Sequence, residues 1–161
     1  MNDAHLHMVV NHFPIIGTIF GLGVLITGLF LKNNILKNTA FVFFVISAIF
    51  AFVSMNTGEG AEELVEDLPN VGHKIIHEHE EIAEKFAILM YVLGVFSIVG
   101  LYFNFKNHAK SKLVSLVVLL LAIVATFLSI NVGTSGGEVR HTEIRENNTT
   151  TTIEASATDN D

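Results

Sequence analysis

Residues 113–132 read LVSLVVLLLAIVATFLSINV, twenty positions without a charge. As an α-helix rising 1.5 Å per residue, that run is long enough to cross a hydrocarbon layer of about 30 Å. Three further charge-free runs lie at 13–31, 40–55 and 86–105. The second reaches spanning length by taking in the uncharged Asn38, Thr39, Asn56 and Thr57, so the four expected spans are 13–31, 38–57, 86–105 and 113–132. Half of the 161 residues are hydrophobic and 16% are charged. The mean hydropathy of +0.53 exceeds that of an ordinary soluble domain of this size. The sequence therefore predicts an all-α fold, an integral membrane four-helix bundle occupying 1–143 as one domain in the lipid bilayer. Residues 1–12 carry Asp3 and three histidines where a signal peptide would be basic, so the first span reads as a retained helix.

Charge sorts the connections. Lys32 and Lys37 lie between the first two spans, Lys106, Lys110 and Lys112 between the last two, and neither connection holds an acid. By the excess of Lys and Arg in cytoplasmic loops, both are expected inside, with both termini periplasmic across a bacterial inner membrane. All sixteen acidic residues then fall outside. The formal net charge of −7 argues against nucleic acid as a partner, because phosphate neutralisation needs clustered Lys and Arg. The absence of cysteine excludes disulfides, thiolate metal sites, iron–sulfur clusters and covalently attached haem, so metal chemistry has to run on His, Asp, Glu or Met.

The same sorting collects His5, His7, His12, His73, His77, His79 and His141 at the outer end and leaves His108 inside. Longer polar outer loops account for part of this. Projecting 72–105 as one helix after the break at Leu68-Pro69-Asn70 puts His73, His77, Glu80 and Glu84 on a polar stripe. That stripe reads as a solvated face with His/Glu pairs rather than a two-point ligand. His79 falls on the apolar stripe with Ile75, Ile82 and Phe86, so it is expected to face the bundle interior, where an ionisable group needs a partner. His12 precedes Phe13-Pro14 and is expected at the N-cap of the first span, as anchor or ligand, with His7 folding over the same end.

Residues 58–68, GEGAEELVEDL, read as a short extracytoplasmic amphipathic helix with Ala61, Leu64, Val65 and Leu68 on one face. It is a candidate lid, with Glu59 and Glu62 as possible carboxylate ligands. Residues 133–137, GTSGG, read as a flexible turn that folds Arg140 and His141 back onto the bundle mouth. Residues 144–161 read as a polar, disordered tail. Ser54-Met55-Asn56-Thr57-Gly58 and Ser129-Ile130-Asn131-Val132-Gly133 end the second and fourth spans alike, hinting at a duplicated half with a pseudo-two-fold axis along the membrane normal. Gly17 and Gly21 permit close approach of a helix or of a flat cofactor.

The segment HMVVNHFP, from His7 to Pro14, resembles the opening His-Pro-x-x-x-His-Phe-Pro signature of an uncharacterised bacterial family of four-span membrane proteins, a domain of unknown function. Met8 stands where the family often has proline. Gly58-Glu59-Gly60-Ala61-Glu62-Glu63, His79-Glu80-Glu81 and Gly136-Gly137-Glu138-Val139-Arg140-His141 are similar to its other recurring pieces, and the resemblance covers 4–143. It implies His7, His12, His79 and His141 as the distinctive histidines. Fusion of relatives to cytochrome or Rieske-type domains implies a place beside a respiratory or cytochrome-containing complex.

Three functions follow as expectations. The first is a b-type haem held without covalent attachment by His79 and either His7 or His12, with Arg140 for a propionate, serving electron transfer. The second is a zinc, copper or iron ion bound by His7, His12, His79 and His141 with Glu59 or Glu62. The third is a cofactor-free structural subunit with a pH-sensitive histidine lid. His-Glu-x-x-His is absent, and no nucleophile or general base stands out. No Asp, Glu, Lys or Arg lies within a span, which disfavours a transporter.

Overall fold

A computed structural model describes residues 2–66 and 71–145. The chain is helical throughout, with no strand among the described residues. Its elements are α1 (Asp3–Val10), α2 (His12–Phe30), α3 (Asn34–Val65), α4 (His73–Phe105), α5 (Ser111–Arg140) and a short 3-10 turn, Thr142–Ile144. Four helical stretches are long and apolar enough to cross a membrane: α1–α2 taken together, α3, α4 and α5. The expected break at Leu68-Pro69-Asn70 and the polar tail beyond Arg145 lie outside the described residues.

Short connections force neighbouring helices to run antiparallel. At the end of α2, Lys32 takes a left-handed φ of 52°, and Asn33 N–H donates back to the Gly28 carbonyl at 2.9 Å. At the end of α4, Asn107 takes a φ of 49°, and His108 N–H donates to the Phe103 carbonyl at 2.9 Å. Both are Schellman-like stops, which satisfy carbonyls left over at a helix end. Asn33 then caps α3 by accepting from Ile35 N–H and Leu36 N–H. The helices close a ring in which α2 packs on α3, α3 on α4, α4 on α5 and α5 on α2.

The interior is built from small and hydroxyl residues around a few large ones. Thr18, Ser47, Ser97, Ser115 and Ser129 are fully or almost fully buried, beside Phe41, Phe44, Met90 and Leu93. Most of these hydroxyls return their proton to their own helix. Thr18 donates to the Pro14 carbonyl at 2.6 Å and Ser97 to the Leu93 carbonyl at 2.7 Å, so neither buried donor is stranded. Large apolar side chains point outward instead, with Phe20 65%, Phe127 68% and Ile98 55% exposed. This distribution reverses that of a water-soluble bundle and is the pattern of helices that associate through small residues in an apolar solvent. At the lysine end, Asn104 donates to the Asn38 side-chain oxygen at 2.7 Å and accepts from the Ser111 hydroxyl, tying α3, α4 and α5 together.

The repeat noted in the sequence runs through the structure. Lys32 and Asn107, the two left-handed residues, lie 75 positions apart, as do Ser54 and Ser129. The buried pairs Ala40/Ser115 and Ser47/Ala122 share that offset, and Thr18/Gly94 and Gly21/Ser97 are offset by 76. Each half is one helical hairpin.

Two local expectations need correction. The amphipathic segment 58–68 is not a separate lid, because α3 continues unbroken through Gly58 and Gly60 to Val65. The GTSGG segment is not a turn, because α5 runs through it to Arg140. A glycine inside a helix costs only about 1 kcal/mol relative to alanine, which tertiary packing overrides. At about 1.5 Å per residue, α3 and α4 each approach 50 Å in length, well beyond a hydrocarbon core of about 30 Å. With the apolar segments set toward the lysine end, the surplus length of α3, α4 and α5 lies at the acidic end. There it forms a helical layer with α1.

Candidate functional site

Within that layer two imidazoles are half-buried and held. His7, on α1, packs over α3: its Nδ1 lies 3.1 Å from the Ser54 carbonyl oxygen and 3.2 Å from the Thr57 hydroxyl. His79, on α4, packs over α5, with Nδ1 2.9 Å from the Ser135 hydroxyl. Hydrogen-bond chemistry fixes the tautomer of His7 and ties that of His79 to the direction of one hydroxyl. A carbonyl only accepts, so His7 must carry its proton on Nδ1. The Thr57 hydroxyl spends its own proton on the Val53 or Ser54 carbonyl and offers His7 a lone pair. When the Ser135 hydroxyl donates to the Val132 carbonyl, 3.2 Å away, it accepts from His79 Nδ1–H. In both rings Nε2 is then left as the lone-pair nitrogen, the arrangement of a histidine ready to ligate a metal.

Each ring rests against a glycine. A Cβ added at Gly136 would lie 3.0 Å from His79 Cε1, and one at Gly58 would lie 3.7 Å from His7 Cε1. Gly60 has the same use for α1, since a Cβ there would meet Asp3 Oδ2 at 2.6 Å. Gly58 and Gly60 of the expected lid and Gly136 of the expected turn are thus seats for other side chains. Asn11, one turn below His7 on the same face, buries its side-chain oxygen without a donor among the described residues. Both histidines lie outside the four apolar segments. Burial lowers the pKa of each below the ordinary histidine value of 6.5; the Ser54 carbonyl opposes this at His7, and the nearby charge of His7 adds to it at His79. Both shifts favour the neutral ring, the form that binds metal.

The other candidates are placed differently. His12 is exposed and is not an N-cap, because helix precedes it; its Nδ1 bonds the Met8 carbonyl one turn back at 2.8 Å. The joint between α1 and α2 is the single residue Asn11, itself in helical conformation. His141 is exposed, with Nδ1 2.8 Å from Glu143 Oε1, and Arg140 ends α5 exposed, one turn beyond Gly136. Neither folds back over the bundle mouth, because α5 is continuous through the glycines; Arg145 instead caps the Glu138 and Val139 carbonyls. His73 and His77 lie on the exposed stripe, His77 Nε2 3.5 Å from Glu81 Oε1. Among the described residues, no three His, Asp or Glu side chains gather as an ion-holding group.

Glu59 and Glu62 of α3 bear on Glu80 of α4. Glu62 hydrogen-bonds Glu80, and burial, followed by that bond and the charge of Glu62, raises the Glu80 pKa above its ordinary value; His77 opposes the shift and Glu59 adds to it. For a carboxyl with a raised folded-state pKa, the stabilisation is present below the unfolded value and is lost as pH rises through the folded one. Glu80→Gln is therefore expected to flatten the pH dependence of the outer α3–α4 seam above about pH 4.5. Amide hydrogen exchange of 59–65 and 73–84, compared between mildly acidic and neutral pH, checks this. An unchanged pH profile in the variant refutes it.

The chain matches no model of a known protein family, no curated protein and no solved structure. The functional argument therefore stands on the geometry of the site.

Proposed function

We propose that the chain is a membrane protein in which His7 and His79 bind one b-type haem at the acidic, periplasmic end of the bundle, in the service of respiratory electron transfer. The observation that carries this reading is that both half-buried histidines are held through Nδ1, His7 by the Ser54 carbonyl and His79 by the Ser135 hydroxyl, which leaves Nε2 as the nitrogen available to ligate. Donor count favours haem over a bare ion. A porphyrin brings four nitrogens and asks the protein for one or two axial ligands, whereas a zinc site asks for three or four. Two imidazoles held through Nδ1 fit the axial positions of such a group, which when bound supplies a one-electron couple. Arg140, one turn above the His79 seat, is the cation available for a propionate.

The inside-out apolar surface supports placement in the bilayer, and the lysine-bearing connections support an orientation with the histidine layer outside. The deciding experiment is the absorption spectrum of the purified full-length protein with elemental analysis. A Soret band that sharpens with resolved α and β bands on reduction is expected. A colourless protein with stoichiometric zinc or copper overturns haem in favour of a bare metal. A protein with neither overturns both and leaves a structural subunit.

A further inference from the structure

The two imidazoles are not held equally. His7 Nδ1 meets two acceptors, and one of them, the Ser54 carbonyl, belongs to the backbone of α3 and cannot rotate or donate. His79 Nδ1 meets one acceptor, the Ser135 hydroxyl, which acts as an acceptor only while its proton stays on the Val132 carbonyl. That second bond, at 3.2 Å, is at the long end of an O–H···O bond. Gly136 follows Ser135, and its missing side chain lets the ring sit down on α5 where the hydroxyl reaches it.

We propose that Ser135 is a positioning residue, the side chain that makes His79 a ligand by holding its proton on Nδ1, whereas His7 is fixed by the backbone. The proposal rests on the reading of His79 as a ligand and deepens it. It makes His79 the adjustable side of the centre. When Ser135 Oγ–H points to the Val132 carbonyl, His79 Nε2 is a donor atom for iron. When the hydroxyl turns toward the ring, Nδ1 must accept, the ring proton is carried on Nε2, and the ligand is withdrawn. No equivalent rotation exists at His7, because the Ser54 carbonyl has no proton to offer. Outer partners of this kind change metal affinity by about 10- to 100-fold when removed.

The test combines two readouts on the full-length chain prepared without added haem. Long-range ¹H–¹⁵N NMR of the imidazoles at alkaline pH reports the tautomers whether or not any cofactor binds. Wild type is expected to show Nδ1–H for His7 and His79, Ser135→Ala to move His79 to the Nε2–H form that neutral histidine favours in water, and Ser135→Thr to restore it. Thr57→Val is expected to leave His7 as Nδ1–H. Haemin titration should then show about a tenfold or greater loss of affinity for Ser135→Ala and nearly wild-type affinity for Ser135→Thr and Thr57→Val. Nε2–H at His79 in the wild type, or an unaltered His79 tautomer in Ser135→Ala, overturns the proposal. So does equal loss of haemin affinity in Ser135→Ala and Thr57→Val. Failure of wild type to take up haemin while its tautomers are as stated counts against haem and leaves the role of Ser135 standing.

Discussion

A single methyl group added at Gly100 is expected to destabilise the bundle by about 1–3 kcal/mol, the cost of overfilling a well-packed core. The new Cβ would lie 2.7 Å from Phe41 Cε2, with Cζ and Cδ2 of the same ring at 3.0 and 3.1 Å. Phe41 is fully buried at the α3–α4 contact and has nowhere to retreat. Gly23→Ala is the control, because a Cβ there meets nothing within 4 Å and helix propensity favours alanine by about 1 kcal/mol. Trimming the opposing ring should relieve the clash, so Gly100→Ala combined with Phe41→Leu should cost less than the sum of the two single changes. Denaturant or thermal unfolding in detergent measures all four variants. If Gly100→Ala behaves like Gly23→Ala, the close packing of α4 on Phe41 is wrong.

The same reasoning separates what the sequence makes legible from what it hides. The four long apolar helices follow from uncharged length alone, since a run such as 113–132 has few alternatives to a helix buried in protein or lipid, whereas α1 and the polar extensions of α3, α4 and α5 do not. The inward placement of His79 follows from helical periodicity, which holds as long as the helix is straight. Glycine was the weak signal. Gly58 and Gly60 read locally as part of a separate lid and Gly133, Gly136 and Gly137 as a turn, yet all lie inside α3 or α5. The meaning of Gly58, Gly60 and Gly136 depends on which side chain sits over each, His7, Asp3 and His79 in turn, and that partner is contributed by another helix far along the chain. Gly17 and Gly21 carried the same ambiguity; Gly17 faces Ser47 and Gly21 faces Phe44, so both serve the α2–α3 contact. Thr57 and Ser135 were invisible as histidine partners for a related reason. A hydroxyl near the end of a span looks the same whether it bonds its own backbone or accepts from a ring 50 or more residues away. The one available hint is the recurrence of hydroxyl-glycine pairs, Thr57-Gly58 and Ser135-Gly136, each beneath one of the two imidazoles.

Haem content should fall from about one per chain to near none in His79→Ala and in His7→Ala, and should stay at the wild-type level in His5→Ala, His73→Ala and His77→Ala. The difference comes from where the rings lie. His5, His73 and His77 are exposed, and their contacts are local caps or surface ion pairs of small energetic weight. His7 and His79 are half-buried, held through Nδ1 and biased by burial toward the neutral form, so losing either removes a ligand whose ordering has already been met by the fold. Neither substitution touches the Phe41, Phe44, Met90 and Leu93 core below, so the helical circular-dichroism signal should persist and separate loss of cofactor from loss of fold. His79→Gly adds a positive control: removal of the side chain opposite Gly136 opens a ring-sized space, and free imidazole supplied in solution is expected to restore the Soret band. Undiminished haem content in His79→Ala would remove His79 from the site, and loss of haem in His73→Ala would move the centre to the exposed stripe of α4.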